Sequence, residues 1–370
     1  MKVAIVLNTS WNIYNFRMNF VKSLIAKGYE VHTIAPVDKY THYLVEAGCI
    51  HHKVRMDSRG ANPIKDFALI VELWMNYRNI RPGMVLHYTV KPNVYGTIAA
   101  ALLKIPVINN VCGLGTVFLK KNLVSAIAIL LYKITFRFPK KVFFQNTDDL
   151  NLFVNRKLVS AHSVDLIPGS GIDLQKFQPF AYKRNESFTF LLISRLISDK
   201  GVFEYIEAVK KLRISGMDAR FQILGAKDPE HQRGIQEKVI NKWIEEGTIE
   251  YLGTTDDVRH FIEKADCIVL PSYREGAPRT LLEAASSAKP IVATDVPGCH
   301  HVVTDQFNGL LCKIKDADDL AEKMGTMATM SDRQLEEFGN NGRKKVEREY
   351  NENVVIEKYL QALTTLQKAS

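Results

Sequence analysis

The sequence has little cysteine, and what it has is scattered. Its five cysteines form no C-x-x-C pair, which argues against a disulfide framework or a zinc site and favours a reducing compartment. Long hydrophobic runs are also missing, since the longest charge-free apolar stretch, 123–132, is too short to cross a bilayer. Met1 leads directly into a predicted strand without a signal peptide. We therefore expect a cytoplasmic protein.

Acidic residues are unevenly distributed. Residues 1–170 contain 21 Lys and Arg against 9 Asp and Glu, whereas the remainder contains 28 against 31. This asymmetry predicts that the first half meets an anionic partner, for which nucleic acid, a membrane surface or a phosphorylated substrate would each fit. The chain is 46% hydrophobic and 24% charged, which is typical of a folded protein. Its length of 370 residues is sufficient for two domains.

Apolar runs alternate with helical patterns in both halves, which predicts two doubly wound parallel α/β sheets. The predicted strands are 3–7, 30–34, 84–86, 106–111, 141–145, 189–194, 220–224, 248–252, 267–270 and 291–293. The stretch 167–179 is rich in Gly and Pro and has no helical or strand periodicity, which predicts a hinge linker. It separates a first domain, 1–166, from a second, 180–350, and a last helix follows at 351–370.

The segment 270–298 follows a predicted strand and contains a loop and then a helix. Pro278 is expected at the first helical position, so that the helix start offers N–H groups to a phosphate. Glu275 in the loop and Glu283 on the helix could accept hydrogen bonds from sugar hydroxyls, Glu283 from a ribose. The alternative is two solvated carboxylates on a surface helix.

Two cations follow the strand at 189–194. Arg195 and Lys200 converge on the strand's carboxyl end, where an arginine fork and a lysine point charge can hold a diphosphate. The segments 221–226 and 251–258 end in loops at the same edge and are predicted walls for a nucleotide base. The alternative for the cations is ordinary surface charge.

These residues carry a resemblance. Glu275 and Glu283 resemble the E-x7-E donor segment of the retaining, GT-B-fold glycosyltransferases of family 4. The surrounding SYREGAPRTLLEA and TDVPGC resemble, more narrowly, the branch that assembles lipid-linked bacterial surface glycans such as capsule and O-antigen. Arg195 and Lys200 match the family's R-x4-K pair. The resemblance implies two Rossmann-like domains facing across a cleft, with the last helix crossing back to the first domain.

Three loops of the first half resemble the same branch. They are NTSWNIYNFRMNF with Asn15 and Arg17, HYTVKPNVYG with Lys91, and CGLGTVF with Gly113 and Gly115. Arg17 could instead be a helix-surface charge, and Lys91 a solvated loop lysine. The sequence departs from the family twice, because the first loop is not glycine-rich and Val90 stands where family members often have a histidine. His87 comes too early in the loop to replace it.

The resemblance implies a site in which Glu275, Arg195 and Lys200 are catalytic and the first domain binds the acceptor. The expected donor-binding residues are Arg195, Lys200, Gly225, Glu275, Gly276, Ala277, Arg279, Thr280, Leu281 and Glu283. The expected acceptor or cleft residues are Asn15, Arg17, Lys91, Gly113 and Gly115. No metal or other cofactor is expected, because the D-x-D at Asp316 is interpreted as a helix cap and His300-His301 lacks a carboxylate partner.

The function implied is transfer of a sugar, an N-acetylhexosamine or related, from a UDP-sugar to a polyprenyl-diphosphate-linked saccharide. The partners are then the nucleotide sugar, the lipid-linked acceptor and the inner membrane surface, and not nucleic acid. Two alternatives remain: a GT-B-fold UDP-sugar 2-epimerase, and a non-catalytic scaffold that binds glycan or lipid.

The stretch 119–141 has six basic residues and no acidic one around an apolar middle. This pattern is typical of a helix in an anionic membrane interface, and it would place the protein peripherally on the inner face of the cell membrane. The alternative is an ordinary helix that covers the sheet. The basic residues are Lys120, Lys121, Lys133, Arg137, Lys140 and Lys141.

Overall fold

The computed structural model describes residues 1–57, 62–114 and 123–368. The chain forms two compact units. Unit 1 comprises Met1–Ser170 and the chain from Asn353 onward, and unit 2 comprises Gly171–Glu352. The passage from unit 1 to unit 2 therefore falls within 167–179.

Unit 1 is built on a parallel sheet of seven strands in the order β3-β2-β1-β4-β5-β6-β7. The strands are β1 Lys2–Val6, β2 Glu30–Ala35, β3 Ile50–Lys53, β4 Met84–Tyr88, β5 Val107–Val111, β6 Lys141–Phe144 and β7 Val164–Leu166. Its described helices are α1 Ser10–Ala26, α2 Thr41–Glu46, α3 Pro63–Ile80, α4 Thr97–Leu102, α5 Leu123–Thr135 and α6 Thr147–Asn155. A π-helical turn, Pro92–Gly96, precedes α4, and a 3-10 turn, Ala161–Ser163, precedes β7.

Unit 2 repeats the scheme with six parallel strands in the order β10-β9-β8-β11-β12-β13. The strands are β8 Phe188–Ile193, β9 Ala219–Leu224, β10 Glu250–Tyr251, β11 Cys267–Leu270, β12 Ile291–Thr294 and β13 Leu310–Cys312. The helices are α7 Val202–Ile214, α8 Glu237–Glu245, α9 Arg259–Lys264, α10 Arg279–Ser286, α11 Cys299–Val302, α12 Ala317–Thr329 and α13 Asp332–Glu349. The final helix, α14 Glu352–Lys368, continues from α13 into unit 1.

Both sheets are covered on both faces, as expected for parallel sheets. Along β1, Val3 and Ile5 pack on one side with α1 and α14, while Ala4 and Val6 pack on the other with α3 and α4. Strand β8 is buried along its whole length. The two-domain, doubly wound α/β class is therefore confirmed.

Each predicted strand is present, with ends that differ by at most two residues, but three strands of the described chain were not predicted. The sequence of β3, IHHK, has no apolar run, and β7 and β13 have only three residues each. Pro278 is not at the first helical position but at the N-cap of α10, one residue earlier. Among the described residues, no helix is long and apolar enough to cross a membrane.

His87 lies inside β4 and not in the loop that follows it. Its ring is fully buried, with Nδ1 3.0 Å from Asn109 Oδ1 and Nε2 2.8 Å from the Tyr77 hydroxyl. These partners fit a neutral imidazole that donates through Nδ1 and accepts at Nε2. Burial lowers the pKa of His87 to about 3, and the hydrogen bond to Asn109 opposes that shift. His87 is therefore a structural residue of the sheet.

Two glycines lie at the carboxyl ends of β9 and β10, but only one is required for close packing. Gly225 follows β9 with φ +149°, and a Cβ there would lie 1.8 Å from the Ser194 carbonyl oxygen after β8. Its N–H donates to the carbonyl of Gly253 at 2.8 Å. Gly253 also has positive φ, but a Cβ on it would meet no atom within 4 Å. The close approach of β8 and β9 at this edge therefore depends on Gly225.

The first prediction is a pH dependence of stability that comes from His87. The unfolded imidazole has a pKa near 6.5, so between about pH 6.5 and 3 the unfolded chain binds a proton that the folded chain does not. The contribution of His87 to the free energy of unfolding should be fully present above pH 6.5. It should fall by up to about 1.4 kcal/mol per pH unit as the pH drops through this window. Urea denaturation of the wild type and of His87→Gln measures this contribution. The two denaturation midpoints should converge as the pH falls, and parallel curves would contradict the prediction.

The second prediction compares Gly225→Ala with Gly253→Ala. Both substitutions place alanine at positive φ, which costs about 1 kcal/mol. Only at Gly225 does the new methyl group also collide with a backbone carbonyl, so we expect a further loss of about 2 kcal/mol in the free energy of unfolding. Chemical denaturation measures both variants. Equal losses in their free energy of unfolding would show that Gly225 does not closely approach Ser194.

Candidate functional site

The candidate site lies at the carboxyl edge of the unit 2 sheet, where ligands bind in open α/β folds. Three loops form it, and they follow β8, β9 and β11. Because β8 pairs directly with both β9 and β11, the first residues of these loops are neighbours. The predicted donor-binding residues all follow one of these strands, in a loop or on the helix that the loop leads into.

Lys200 and Glu275 are in direct contact, although they are 75 residues apart in sequence. Lys200 ends a 3-10 turn, Ser198–Lys200, after β8, and Glu275 lies in the loop after β11. Both charged side chains are mostly buried. The cation and the carboxylate are therefore held side by side.

Tyr273 joins the same two loops through the backbone. Its N–H donates to the Asp199 carbonyl at 2.9 Å, and its hydroxyl donates to Glu204 Oε1 of α7 at 2.7 Å. The Asp199 carboxylate in turn forms an ion pair with Arg233. These bonds hold the loop after β11 against the loop after β8 independently of the charged pair.

The start of α10 is fastened to the end of β8. The Thr280 hydroxyl donates to the Ile193 carbonyl at 3.0 Å, and the Leu281 N–H donates to the Pro278 carbonyl at 3.1 Å. The Leu281 side chain is fully buried in the core of unit 2. Both groups, which we expected to bind the donor, have partners within the protein, and the Thr280 bond places the N-terminus of α10 beside the residues that follow β8.

Glu283 is positioned by Arg279, one helical turn before it. The guanidinium contacts Glu283 Oε1 at 3.2 Å through Nη2 and donates to the Gly171 carbonyl at 2.5 Å through Nη1. Glu283 is only 8% exposed. Burial raises its pKa, and the Arg279 charge opposes that shift. The alternative of a solvated carboxylate is therefore wrong for Glu283, and Arg279 acts on it as a positioning group.

Arg195 is the most open of the predicted donor residues. Its side chain is 57% exposed and lies 3.8 Å from the carboxylate of Asp228, which is itself buried. Gly225 lies beside it, as its approach to Ser194 requires. In the loop before α10, Gly276 is buried and Ala277 is half-buried.

Gly298 is a supporting residue that the sequence did not reveal. It has φ +89°, and a Cβ there would lie 2.6 Å from the Glu275 carbonyl oxygen. The Glu275 N–H donates to the Pro297 carbonyl at 3.1 Å. The Pro-Gly pair at 297–298 marks a turn in the sequence, but nothing there indicates that the turn supports Glu275.

The predicted acceptor residues belong to unit 1. Arg17 is not a helix-surface charge, because it is buried, lies 4.2 Å above the Tyr88 ring and contacts Asn12 and Cys112. Lys91 is not solvated either, since its ammonium lies 2.8 Å from the buried carboxylate of Asp66. Asn15 donates to the Trp11 carbonyl within α1. Gly113 has φ 114°, and Gly115 lies outside the described residues.

The basic stretch is described only in part, because Lys120 and Lys121 lie outside the described residues. Lys133, Arg137 and Lys140 are exposed, whereas Lys141 lies 3.7 Å from Asp165. Four large apolar side chains on α5 and directly after it are exposed beside them: Ile127, Leu130, Ile134 and Phe138. We call these four residues the α5 stripe.

The two patterns that could suggest a metal have local partners. Asp316 caps α12 by accepting the Asp319 N–H at 2.9 Å, which confirms its interpretation as a helix cap. His300 Nδ1 lies 2.8 Å from Asp295 Oδ1, so a carboxylate partner that we did not expect is present. His301 accepts the Gly298 N–H through Nδ1 at 3.2 Å.

The two units match two different family models. Residues 175–345 match the family model for glycosyl transferases group 1, and residues 2–146 match the model for glycosyl transferase 4-like proteins. A Campylobacter jejuni relative, N,N'-diacetylbacillosaminyl-diphospho-undecaprenol alpha-1,3-N-acetylgalactosaminyltransferase, is 28% identical over 97% of each chain. An Escherichia coli relative, UDP-Gal:alpha-D-GlcNAc-diphosphoundecaprenol alpha-1,3-galactosyltransferase, is 25% identical over 79% of this chain and 78% of its own.

Solved structures show the same fold. A glycosyltransferase from Rickettsia africae superimposes with a TM-score of 0.81 at 17% identity, covering 100% of this chain and 99% of its own. One conclusion follows from the two parallel-sheet units, the two family matches and the relatives that are named as transferases. The chain is a GT-B-fold glycosyltransferase, and between them its two units match the models for glycosyl transferases group 1 and for glycosyl transferase 4-like proteins.

Proposed function

We propose that this enzyme transfers an N-acetylhexosamine or related sugar from a UDP-sugar to a polyprenyl-diphosphate-linked saccharide. The observation that carries the proposal is the contact between Lys200 and Glu275 beside the start of α10. A cation suited to phosphate and a carboxylate suited to sugar hydroxyls are adjacent there. The names of the Campylobacter jejuni and Escherichia coli relatives support this acceptor class.

Each group at the edge has a role in the proposed mechanism. The Lys200 ammonium has three N–H donors and gives one to Glu275, so two are available to a phosphate oxygen. Arg195, which is open to solvent, would take the same diphosphate through its fork. Glu275 would bind hydroxyls of the donor sugar, and Glu283, held by Arg279, would bind the ribose.

The reaction breaks the bond between the anomeric carbon and the diphosphate oxygen and forms a bond from that carbon to the acceptor oxygen. Negative charge grows on the leaving diphosphate, where Arg195 and Lys200 stabilise it. We propose front-face attack with retention, in which the leaving phosphate takes the acceptor's proton. The two cations would supply the charge that a divalent ion supplies elsewhere, so we propose a metal-independent enzyme.

We also propose that the enzyme works at the inner membrane surface and docks through α5. The α5 stripe is flanked by the exposed Lys133, Arg137 and Lys140. Apolar side chains entering the headgroup boundary and cations attracted to anionic lipid are the two contributions that hold an interfacial helix.

The third prediction concerns the paired charges. Lys200→Met should lower kcat by about 100-fold or more, because it removes a donor to the leaving group. Glu275→Gln should also lower kcat, and the double variant should lose less than the product of the two single losses if the residues act as a unit. Product mass spectrometry with UDP-N-acetylhexosamines and a polyprenyl-diphosphate-linked acceptor measures the rates.

The matched control is Lys210→Met, which removes an exposed lysine of α7 that pairs with Glu207. It should leave turnover unchanged. Incubation with donor alone separates the alternatives, since a 2-epimerase would equilibrate the sugar without an acceptor. Unchanged transfer by Lys200→Met would contradict the proposed role of the pair.

The fourth prediction concerns membrane docking. The double variant Ile134→Glu/Phe138→Glu should bind vesicles rich in phosphatidylglycerol at least about tenfold more weakly than the wild type. It replaces apolar contacts by negative charges, which the anionic lipid repels. The control is Ile214→Glu, which changes an exposed isoleucine of unit 2. Vesicle sedimentation measures both variants. Equal binding by both would show that α5 does not dock.

A further inference from the structure

Helix α3 presents a second exposed apolar surface. Ile64, Phe67, Val71 and Met75 recur at helical spacing and are 82%, 67%, 39% and 47% exposed. The opposite face of the same helix packs Leu69, Leu73 and Tyr77 into the core of unit 1. We call the four exposed residues the α3 stripe. With a rise of 1.5 Å per residue it extends over about 16 Å.

The α3 stripe adjoins a cavity of about 890 Å³ within unit 1. Met75 belongs to both, so the apolar surface continues into the cavity wall. The other walls include Val37 after β2, and Lys53 and Arg55 at the end of β3. The cavity therefore lies at the carboxyl edge of the sheet, which is the edge that binds ligands in this class of fold.

The carboxylates that line the cavity have partners within the protein, whereas two of its cations have none among the described residues. Its three carboxylates already have partners: Asp66 contacts Lys91, Asp57 contacts Lys65, and Glu72 accepts the Arg55 backbone N–H at 3.0 Å. Within the described part of the chain, neither the Lys53 ammonium nor the Arg55 guanidinium has a hydrogen bond or ion pair. Two cations thus remain for an anionic ligand.

We propose that this cavity binds the diphosphate of the lipid-linked acceptor and that the α3 stripe binds the first part of its polyprenyl chain. The inference rests on the proposed function and adds the place of the acceptor's lipid end. Lys53 and Arg55 hold the diphosphate oxygens, and Phe67 and Val71 cover the apolar chain. A molecule with a doubly charged head and an apolar tail matches both surfaces at once.

Two other occupants fit the surface less well. A bilayer is broad and does not need a concave cavity with two cations at its rim. A second copy of the chain would cover the stripe, but an interface of identical patches would bring the Lys53 and Arg55 charges towards their own copies. The lipid-linked acceptor uses both the charge and the apolar surface.

The fifth prediction uses two double variants, Lys53→Gln/Arg55→Gln and Ile64→Ser/Phe67→Ser. Both change exposed side chains, so folding should be retained. Binding of the polyprenyl-diphosphate-linked saccharide in detergent, measured without donor by native mass spectrometry, should weaken by about tenfold or more in each. A short-alkyl diphosphate saccharide should lose affinity only in the charge variant. Lys27→Gln and Ile214→Ser are the matched controls.

The outcomes separate the inference from the function it rests on. Wild-type transfer to the lipid-linked acceptor tests the proposed function, whereas acceptor binding by the variants tests the inference even if no transfer occurs. Unchanged acceptor binding in both variants overturns it. Weaker binding of the Ser variant to vesicles that contain no acceptor would also overturn it, because the stripe would then bind the bilayer. If the wild type is a dimer and either variant is a monomer, the stripe binds a second copy, and the inference is again overturned.

Discussion

The contact between the Lys200 ammonium and the Glu275 carboxylate is the interaction on which the candidate site depends. The two residues come from loops after β8 and β11, which are hydrogen-bonded neighbours. Removing either partner would leave the other charge mostly buried and unpaired, which is costly. The bond from Tyr273 to Asp199 and the support of Gly298 under Glu275 fix the same geometry through the backbone.

The rest of the site is arranged around that pair by hydrogen bonds internal to the protein. Thr280 attaches the start of α10 to β8, and Arg279 fixes Glu283 while bonding to the Gly171 carbonyl. Thr280 and Arg279, which resemble donor ligands by motif, therefore also hold neighbouring parts of the protein in place. Arg195 is the exception, because its guanidinium is largely in solvent.

The fold and the chemistry of unit 2 follow from the sequence because both are encoded locally. A fully buried strand such as β8 is a continuous apolar run, and the charged residues come directly after the strands. Contacts between distant residues are not encoded in this way. The pairing of Lys91 with Asp66 and the contact of Arg17 with Tyr88 depend on how α3 and α1 pack near the end of β4.

Helix α3 shows a different limit. It has two apolar faces, and the pattern alone does not say which one packs against the sheet. Leu69, Leu73 and Tyr77 are buried, while Ile64, Phe67 and Val71 are exposed. Strand β3 was missed because its two histidines interrupt any apolar run, although they are paired in the structure with residues of β2.

The position of α14 has a consequence for biosynthesis. Tyr359 and Leu363 complete the core of unit 1 against Phe20 and Phe143, although unit 2 is encoded between them. On the ribosome, at about 5–20 residues per second, the first unit must wait roughly 10–40 s for its last helix. Unit 2, which is continuous in sequence, can finish folding before the unit that was translated first.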